Sequence, residues 1–254
     1  MTYILAVKKA LILLVLASTP LVAEQGPVFL SPPNTTPLHT VSPSFTYVNK
    51  RGSTDLNLQA SYGLRSNISI GFGGTMIENT GQPFRLGRVQ VQLRYRFYQK
   101  AEEGRRTIVG SSIGWALPLG EAVHDVARQN GVARLSANLS ASHANRRTAF
   151  VGAANITRDE HPGGDSFSGT AGAAFSWRLK PVAPGATGGP GLAFFFEGLG
   201  HLEEDGSGWL AVAPGFVYRK GRTQLKVGVR QPVRRWNSRS STQVSIGTSM
   251  FIPT

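Results

Sequence analysis

Residues 86–100 read LGRVQVQLRYRFYQK, and their alternation decides the fold. Val89, Val91, Leu93, Tyr95 and Phe97 fall on one side of an extended chain. Arg88, Gln90, Gln92, Arg94, Arg96 and Tyr98 fall on the other. A period of two marks a β-strand, because successive side chains point to opposite faces. One face is wholly apolar, with aromatics towards one end. The other carries three arginines and two glutamines, groups that a packed soluble core does not accept unpaired. A strand with an oily outside and a wet, charged inside is the repeating unit of a transmembrane β-barrel.

The pattern extends in both directions. Before it, Val41, Pro43, Phe45 and Tyr47 alternate with Ser42, Ser44 and Thr46, and Leu56, Leu58, Ala60 and Tyr62 with Asp55, Asn57, Gln59 and Ser61. A third run places Ile68, Ile70 and Phe72 opposite Asn67, Ser69 and Gly71. After it come eight more runs, beginning near 107, 133, 148, 167, 191, 209, 224 and 242. The sixth, with Leu135, Ala137 and Leu139 against Arg134, Ser136 and Asn138, is as regular as the fourth. That makes twelve runs in all, an even number within the range of bacterial outer-membrane barrels.

Short and long connectors roughly alternate. Those after runs two, four, six and ten are short, and those after three, five, seven and eleven are longer, the expected asymmetry of periplasmic turns and outer loops. The seventh connector is expected over 158–165, around His161-Pro162-Gly163-Gly164. The fifth, 118–131, has a tail at 121–129 that suits a short helix. The short connectors after runs one and nine, and the Gly/Pro linker 181–190 after run eight, depart from the alternation. A soluble all-β fold also alternates, with its apolar face packed inward. Against it stand polar faces rich in Ser, Asn, Gln, Arg and Gly with few acids. Aromatics also gather near run ends (Tyr47, Tyr62, Phe97, Trp115, Trp177, Tyr218), as interfacial girdles do.

The first residues read as a targeting segment. Lys8 and Lys9 precede an apolar run over 10–17, Pro20 breaks it, and Leu21-Val22-Ala23 offers a cleavage site. The run is shorter than the roughly 20 residues a spanning helix requires. Removal of residues 1–23 takes Lys8 and Lys9 with it and lowers the formal charge from +13 to +11. The expected organisation is a signal peptide over 1–23, a proline-rich segment over 24–39 and a barrel over 40–254. The proline-rich segment has two expected positions, a free tail or a fold into the barrel mouth. Cysteine is absent, which excludes a disulfide framework and any thiolate metal site. The basic excess is spread over alternate strand positions and connectors rather than in a block, which ranks nucleic acid low as a partner.

Several phrases resemble one known family. Residues 62–67, YGLRSN, leading into ISIGFG, are similar to its "YGL" step, and 86–97 to its strand ending "KYRF". Residues 113–120, IGWALPLG, resemble its "LPTG" strand end, and 214–219 and 227–233 its late strands. The family is the outer-membrane transporter-like proteins named for the meta pathway of phenol degradation. The resemblance spans most of 40–252 and implies a transport barrel, with aromatic solutes as the associated class. The chain departs from the pattern at Arg88, where an Asp is usual. It also departs at its end, MFIPT, which lacks the terminal aromatic of outer-membrane strands.

If the apolar faces meet lipid, the others line a lumen. By parity the lining bases are Arg88, Arg94, Arg96, Arg134, Arg178, Lys180, Lys226 and Arg230, and the acids Asp55 and Glu197. Tyr98 and Phe195 fall on the same face. Fixed cations in a pore favour anions, because they replace solvation the anion loses. Guanidinium also binds carboxylates in a bidentate way and stacks on rings. The candidate solute-binding residues are therefore Arg88, Arg94, Arg96, Tyr98, Arg134, Arg178, Phe195, Glu197, Lys226 and Arg230. The competing use of the same side chains is to fill the lumen.

Catalytic and metal sites are not expected. A barrel hydrolase requires His and its nucleophile on one face. Ser142 and His143 are adjacent and so point apart, and His143 is assigned to a turn. His39, His124, His143, His161 and His201 are scattered, without ligand spacing, and are assigned to loops. No cofactor is implied. The reading is an outer-membrane barrel for passive passage of small, anionic or aromatic solutes. Its expected partners are outer-membrane lipid, lipopolysaccharide and the barrel-assembly machinery. The runner-up is a structural or adhesive barrel acting through outer loops, with Arg234, Arg235, Trp236 and Arg239 of the last loop suited to lipopolysaccharide phosphates.

Overall fold

The computed structural model describes residues 35–79, 83–119, 133–161, 164–181, 191–238 and 240–254. The expected signal peptide, the 24–34 part of the proline-rich segment, the helix over 121–129 with His124, most of the Gly/Pro linker, and Arg239 lie outside these residues.

Strand β1 (Thr40–Lys50) is followed by β2 (Ser53–Arg65), β3 (Ile68–Asn79), β4 (Arg85–Glu102), β5 (Arg105–Pro118) and β6 (Ala133–Asn145). Then come β7 (Thr148–His161), β8 (Gly164–Arg178), β9 (Gly191–Glu203), β10 (Gly208–Lys220), β11 (Thr223–Trp236), β12 (Gln243–Met250) and the short β13 (Ile252–Pro253). Each of the first twelve pairs antiparallel with its neighbour in sequence. β12 pairs with β1 from Ser44↔Ser249 to Lys50↔Gln243 and closes the sheet. β13 continues the seam after a break at Phe251, with Ile252 opposite Val41. The result is the expected single, closed barrel of twelve long antiparallel strands. Closure leaves no unpaired edge, a requirement where no water is present to satisfy backbone groups.

The two faces separate as the alternation requires. On β4, Val89, Val91, Leu93, Tyr95 and Phe97 are exposed while Arg88, Gln90, Gln92, Arg94 and Arg96 are half-buried. The outer surface is apolar around the barrel: Ile156, Ile113 and Leu139 expose 64, 59 and 56 % of their area. Apolar surface costs about 25 cal/mol per Å² in water, so a belt of this extent is stable only against lipid.

Chain direction gives the barrel a terminal end, with both ends of the barrel segment and the turns after the even strands, and a loop end. Apart from the β8–β9 connector, the turns at the terminal end are tight. Asn145 Oδ1, for example, accepts hydrogen bonds from the Arg147 and Thr148 amides at 2.8 and 2.7 Å. The proline-rich segment folds into the terminal mouth where it is described. Leu38 bridges Gly63, and buried Thr36 shares a hydrogen bond with Ser61 on the lumen face at 2.6 Å.

The structure corrects four local expectations. The loop expected over 158–165 is strand, since β7 and β8 run to His161 and Gly164 with two residues between them. At a membrane rim both faces are polar, so charged residues continue the ladder. There Arg158 Nε donates to Asp165 Oδ2 at 2.9 Å. His143 lies within β6 and His201 within β9, not in turns or loops. Arg234, Arg235 and Trp236 belong to β11, not to the last loop. Lys180 follows the end of β8 in an exposed bend, outside the lumen wall.

Candidate functional site: a cationic lumen

Two bulges decide which side chains enter the lumen. On β4 the register shifts between Arg96, opposite Gly110, and Tyr98, opposite Val109. Phe97 is the extra residue, and it inverts the parity after it. Tyr98, expected in the lumen, therefore faces outward and is 47 % exposed. On β11, Leu210 pairs with Arg234 but Ala211 with Pro232, so Val233 is extra. Arg234 and Trp236 are thereby turned to the outer face.

The other candidates line the lumen and form a series from mouth to mouth. Near the loop end stand Arg88 and Arg134. Arg134 is held by Asp159 through two hydrogen bonds of 2.6 Å. Nearby, Lys50 pairs with Asp55. At mid-height, Lys226 of β11 lies within electrostatic reach of Glu197 of β9 and Arg94 of β4. Glu197 and Lys226 stand on either side of β10, and Arg94 reaches them from across the barrel. At the terminal end, Arg178 and Arg219 lie near each other, and Arg96 donates to the Ser66 carbonyl. Cations thus recur along the whole axis, and the acids Asp55, Asp159 and Glu197 stand at the upper and middle levels.

The lumen has two unlike walls. Along β7 to β10, Val151, Ala174, Leu199, Trp209, Ala211 and Ala213 are packed together and buried. Phe195 belongs to this filled side. It is 5 % exposed, and its ring occupies the space a side chain at Gly215 would need. Glu197 is fully buried there. Beside it, reaching from β2 round to β8, an open chamber of about 410 Å³ is lined by Gln59, Gln92, Arg94, Arg134, Asn138 and Asn155, among others. Glycine makes this room: a Cβ at Gly73 would stand 2.7 Å from the Gln59 Cγ, and one at Gly114 2.8 Å from the Ser136 Oγ. Gln92 fixes Arg94 in the chamber, accepting from its Nε and Nη2 at 3.0 and 2.8 Å. Gln92 Nε2 in turn donates to the Ser112 Oγ at 3.0 Å.

A second cluster, at the loop end, escaped the sequence reading. His201 Nδ1 shares a hydrogen bond with Thr170 Oγ1 at 2.9 Å, and its Nε2 is 2.7 Å from Glu203 Oε1. The imidazole stacks on Trp209 with centroids 5.3 Å apart, and Arg230 lies 4.4 Å from the centre of the same indole. The available signal was parity, since Glu197, His201 and Glu203 share one face of β9. The hydroxyl–imidazole–carboxylate series lies in a sheet whose amides are engaged in the ladder. It therefore has no free backbone amide pair beside it to serve as an oxyanion site. It orients the ring against Trp209. On the outer wall His143 Nδ1 meets Thr107 Oγ1 at 2.9 Å, while Ser142 faces inward. No three His, Asp or Glu side chains among the described residues converge as a metal site would require.

No protein-family model matches the chain, and no characterised protein matches it in sequence. Its fold is similar to solved structures. The NanC porin aligns over 83 % of this chain and 98 % of its own, with a TM-score of 0.53 and 11 % identity. The KdgM porin aligns over 82 and 98 %, with a TM-score of 0.48 and 9 % identity. An anion-selective porin from Comamonas acidovorans aligns over 84 and 98 %, with a TM-score of 0.35 and 13 % identity. At such identity the likeness is one of fold. Together with the closed sheet and the apolar outer belt, the likeness to NanC defines the class by fold: a closed twelve-stranded antiparallel barrel similar to that of an outer-membrane porin.

Proposed function

We propose that the chain is a passive outer-membrane channel for small hydrophilic anions. The observation that carries the reading is the open chamber lined by Arg94 and Arg134, with Arg94 held into it by Gln92. Fixed cations beside hydrogen-bonding amides and hydroxyls replace the hydration shell of an anion. The filled wall confines passage to the amide-lined side. Phe195 and Trp209 are both covered, so the charge carries the preference more than any aromatic platform does. The resemblance to the phenol meta-pathway barrels supports transport and extends the anion class to aromatic carboxylates. In this reading the loop end faces outward and the terminal end the periplasm.

The test is single-channel conductance of the mature, refolded protein in a planar bilayer under a salt gradient. Stable openings with a reversal potential of anionic sign are expected. Cation preference, or no openings from protein shown to be folded and inserted, overturns the proposal.

A further inference from the structure

The outer wall carries a groove that conduction does not use. It lies towards the loop end across β7 to β11 and encloses about 450 Å³. Its floor is built from small residues, Gly169, Ala171 and Gly200, and its walls include Ile156, Leu202 and Trp236. All six face outward by register. The floor is open: a Cβ at Gly169 would meet nothing nearer than the Asn155 carbonyl oxygen at 4.0 Å. Trp236 reaches the outer surface through the Val233 bulge. Its ring lies over Gly208, where a Cβ would stand 2.8 Å from the indole Cζ2. The same bulge turns Arg234 outward, opposite Leu210 on the groove wall. Arg234 is exposed and makes no ion pair among the described residues. Across the groove, Arg158 stands two residues beyond Ile156 on the same outer face, partly neutralised by Asp165.

We propose that this groove binds an acyl chain of a phosphorylated outer-leaflet lipid, with Arg234 on the lipid phosphate. An apolar slot flanked by guanidinium groups at headgroup depth matches that chemistry on both counts. Guanidinium grips phosphate oxygens in a forked geometry, and the slot takes the attached chain. A second copy of this barrel is the poorer occupant. A two-fold contact centred on the groove would set the Arg234 side of one copy against the Arg158 side of the other, and like charges across an interface are costly. The site does not depend on conduction, since a sealed barrel would present the same outer wall.

The test is native mass spectrometry of the intact barrel released from phosphatidylcholine nanodiscs doped with diphosphorylated lipid A, or with the same lipid stripped of its phosphates. One retained diphosphorylated molecule per barrel is expected. Gly169→Leu, which fills the floor, and Arg234→Ala each lower retention about tenfold, and Arg234→Lys, which keeps the charge but loses the fork, gives an intermediate loss. Equal retention by wild type and Arg234→Ala, or equal retention of the stripped lipid, overturns the proposal. So do wild-type barrel dimers that form in place of lipid retention. The Arg234 pair decides the matter if Gly169→Leu fails to fold. Because conductance is recorded separately, loss of lipid retention and loss of conduction are distinguishable failures.

Discussion

Gln92 Oε1 accepts both the Nε and the Nη2 of Arg94, two positions away on the same strand face, so the guanidinium is aimed along the chamber rather than left to swing. A charge fixed in direction acts on a passing ion without a further entropic cost for its own ordering. Arg94→Glu combined with Lys226→Glu is therefore expected to shift the anion-to-cation permeability ratio towards cations about fivefold or more. Gln92→Leu keeps the charge but releases it, and shifts the ratio less. Reversal potentials under a salt gradient check both.

Phe195 and Gly215 form the second constraint. The ring fills the space above the glycine, and a Cβ there would stand 2.7 Å from the Phe195 Cε1 while also meeting the Val227 carbonyl. The carbonyl belongs to the neighbouring strand and cannot move away. Gly215→Val is expected to destabilise the barrel by about 2–3 kcal/mol, read as a lower urea midpoint for loss of heat-modifiable gel mobility. Phe195→Leu should recover part of the loss of Gly215→Ala, since the two share one space.

The barrel was legible in the alternation of residues 86–100, and the twelve runs became twelve strands. Legibility ended where pairing partners matter. Phe97 and Val233 read like any other strand residue, yet each is inserted into the ladder and inverts the facing of the residues after it. Parity accordingly put Tyr98 inside, and the arginine-rich composition after Pro232 left Arg234 and Trp236 in a loop. His161-Pro162-Gly163-Gly164 has loop composition, but the rim polarity of Arg158, Asp159 and Glu160 suits strand equally well. The Arg134–Asp159 pair needed the β6–β7 register, which no single run contains. The filled and open halves of the lumen depend on side chains from strands far apart in sequence, such as Arg94 and Lys226.

The β9–β10 turn predicts a pH response outside the membrane. Ser207 donates its amide to Asp205 Oδ1 at 2.8 Å. Hydrogen bonds from the Ser207 hydroxyl and amide hold the Asp205 carboxyl below the usual carboxylate range. A pKa lower in the folded state favours this turn at pH values above the ordinary carboxylate pKa. The contribution is lost as pH falls through the lower, folded value. Ser207→Ala should move the Asp205 titration up towards the ordinary range. Carboxyl carbon NMR of the folded barrel in detergent measures it, and an unmoved titration would assign the shift to another cause.

Gly63 governs the strap at the terminal mouth. A Cβ there would stand 2.7 Å from the Thr36 carbonyl oxygen and run into the Pro37 carbonyl, so residues 36–38 cross β2 only over a glycine. His39 donates its amide to the Gly63 carbonyl at 3.2 Å, and the Thr254 amide donates to the His39 carbonyl at 2.9 Å, tying the strap to both β2 and the chain end. Gly63→Val should expel the strap while leaving the closed sheet intact, because the nearest atoms to the added Cβ, at Pro37 and Thr36, all belong to the strap. Limited proteolysis of folded barrel is then expected to cut between residues 30 and 40 about tenfold faster than in wild type, as local opening with little buried apolar area allows. Thr36→Val, which removes the hydrogen bond to Ser61 but not the passage over Gly63, should give a smaller increase. Cleavage rates equal in all three proteins would mean that the contacts at Thr36 and Gly63 do not hold the segment in the mouth.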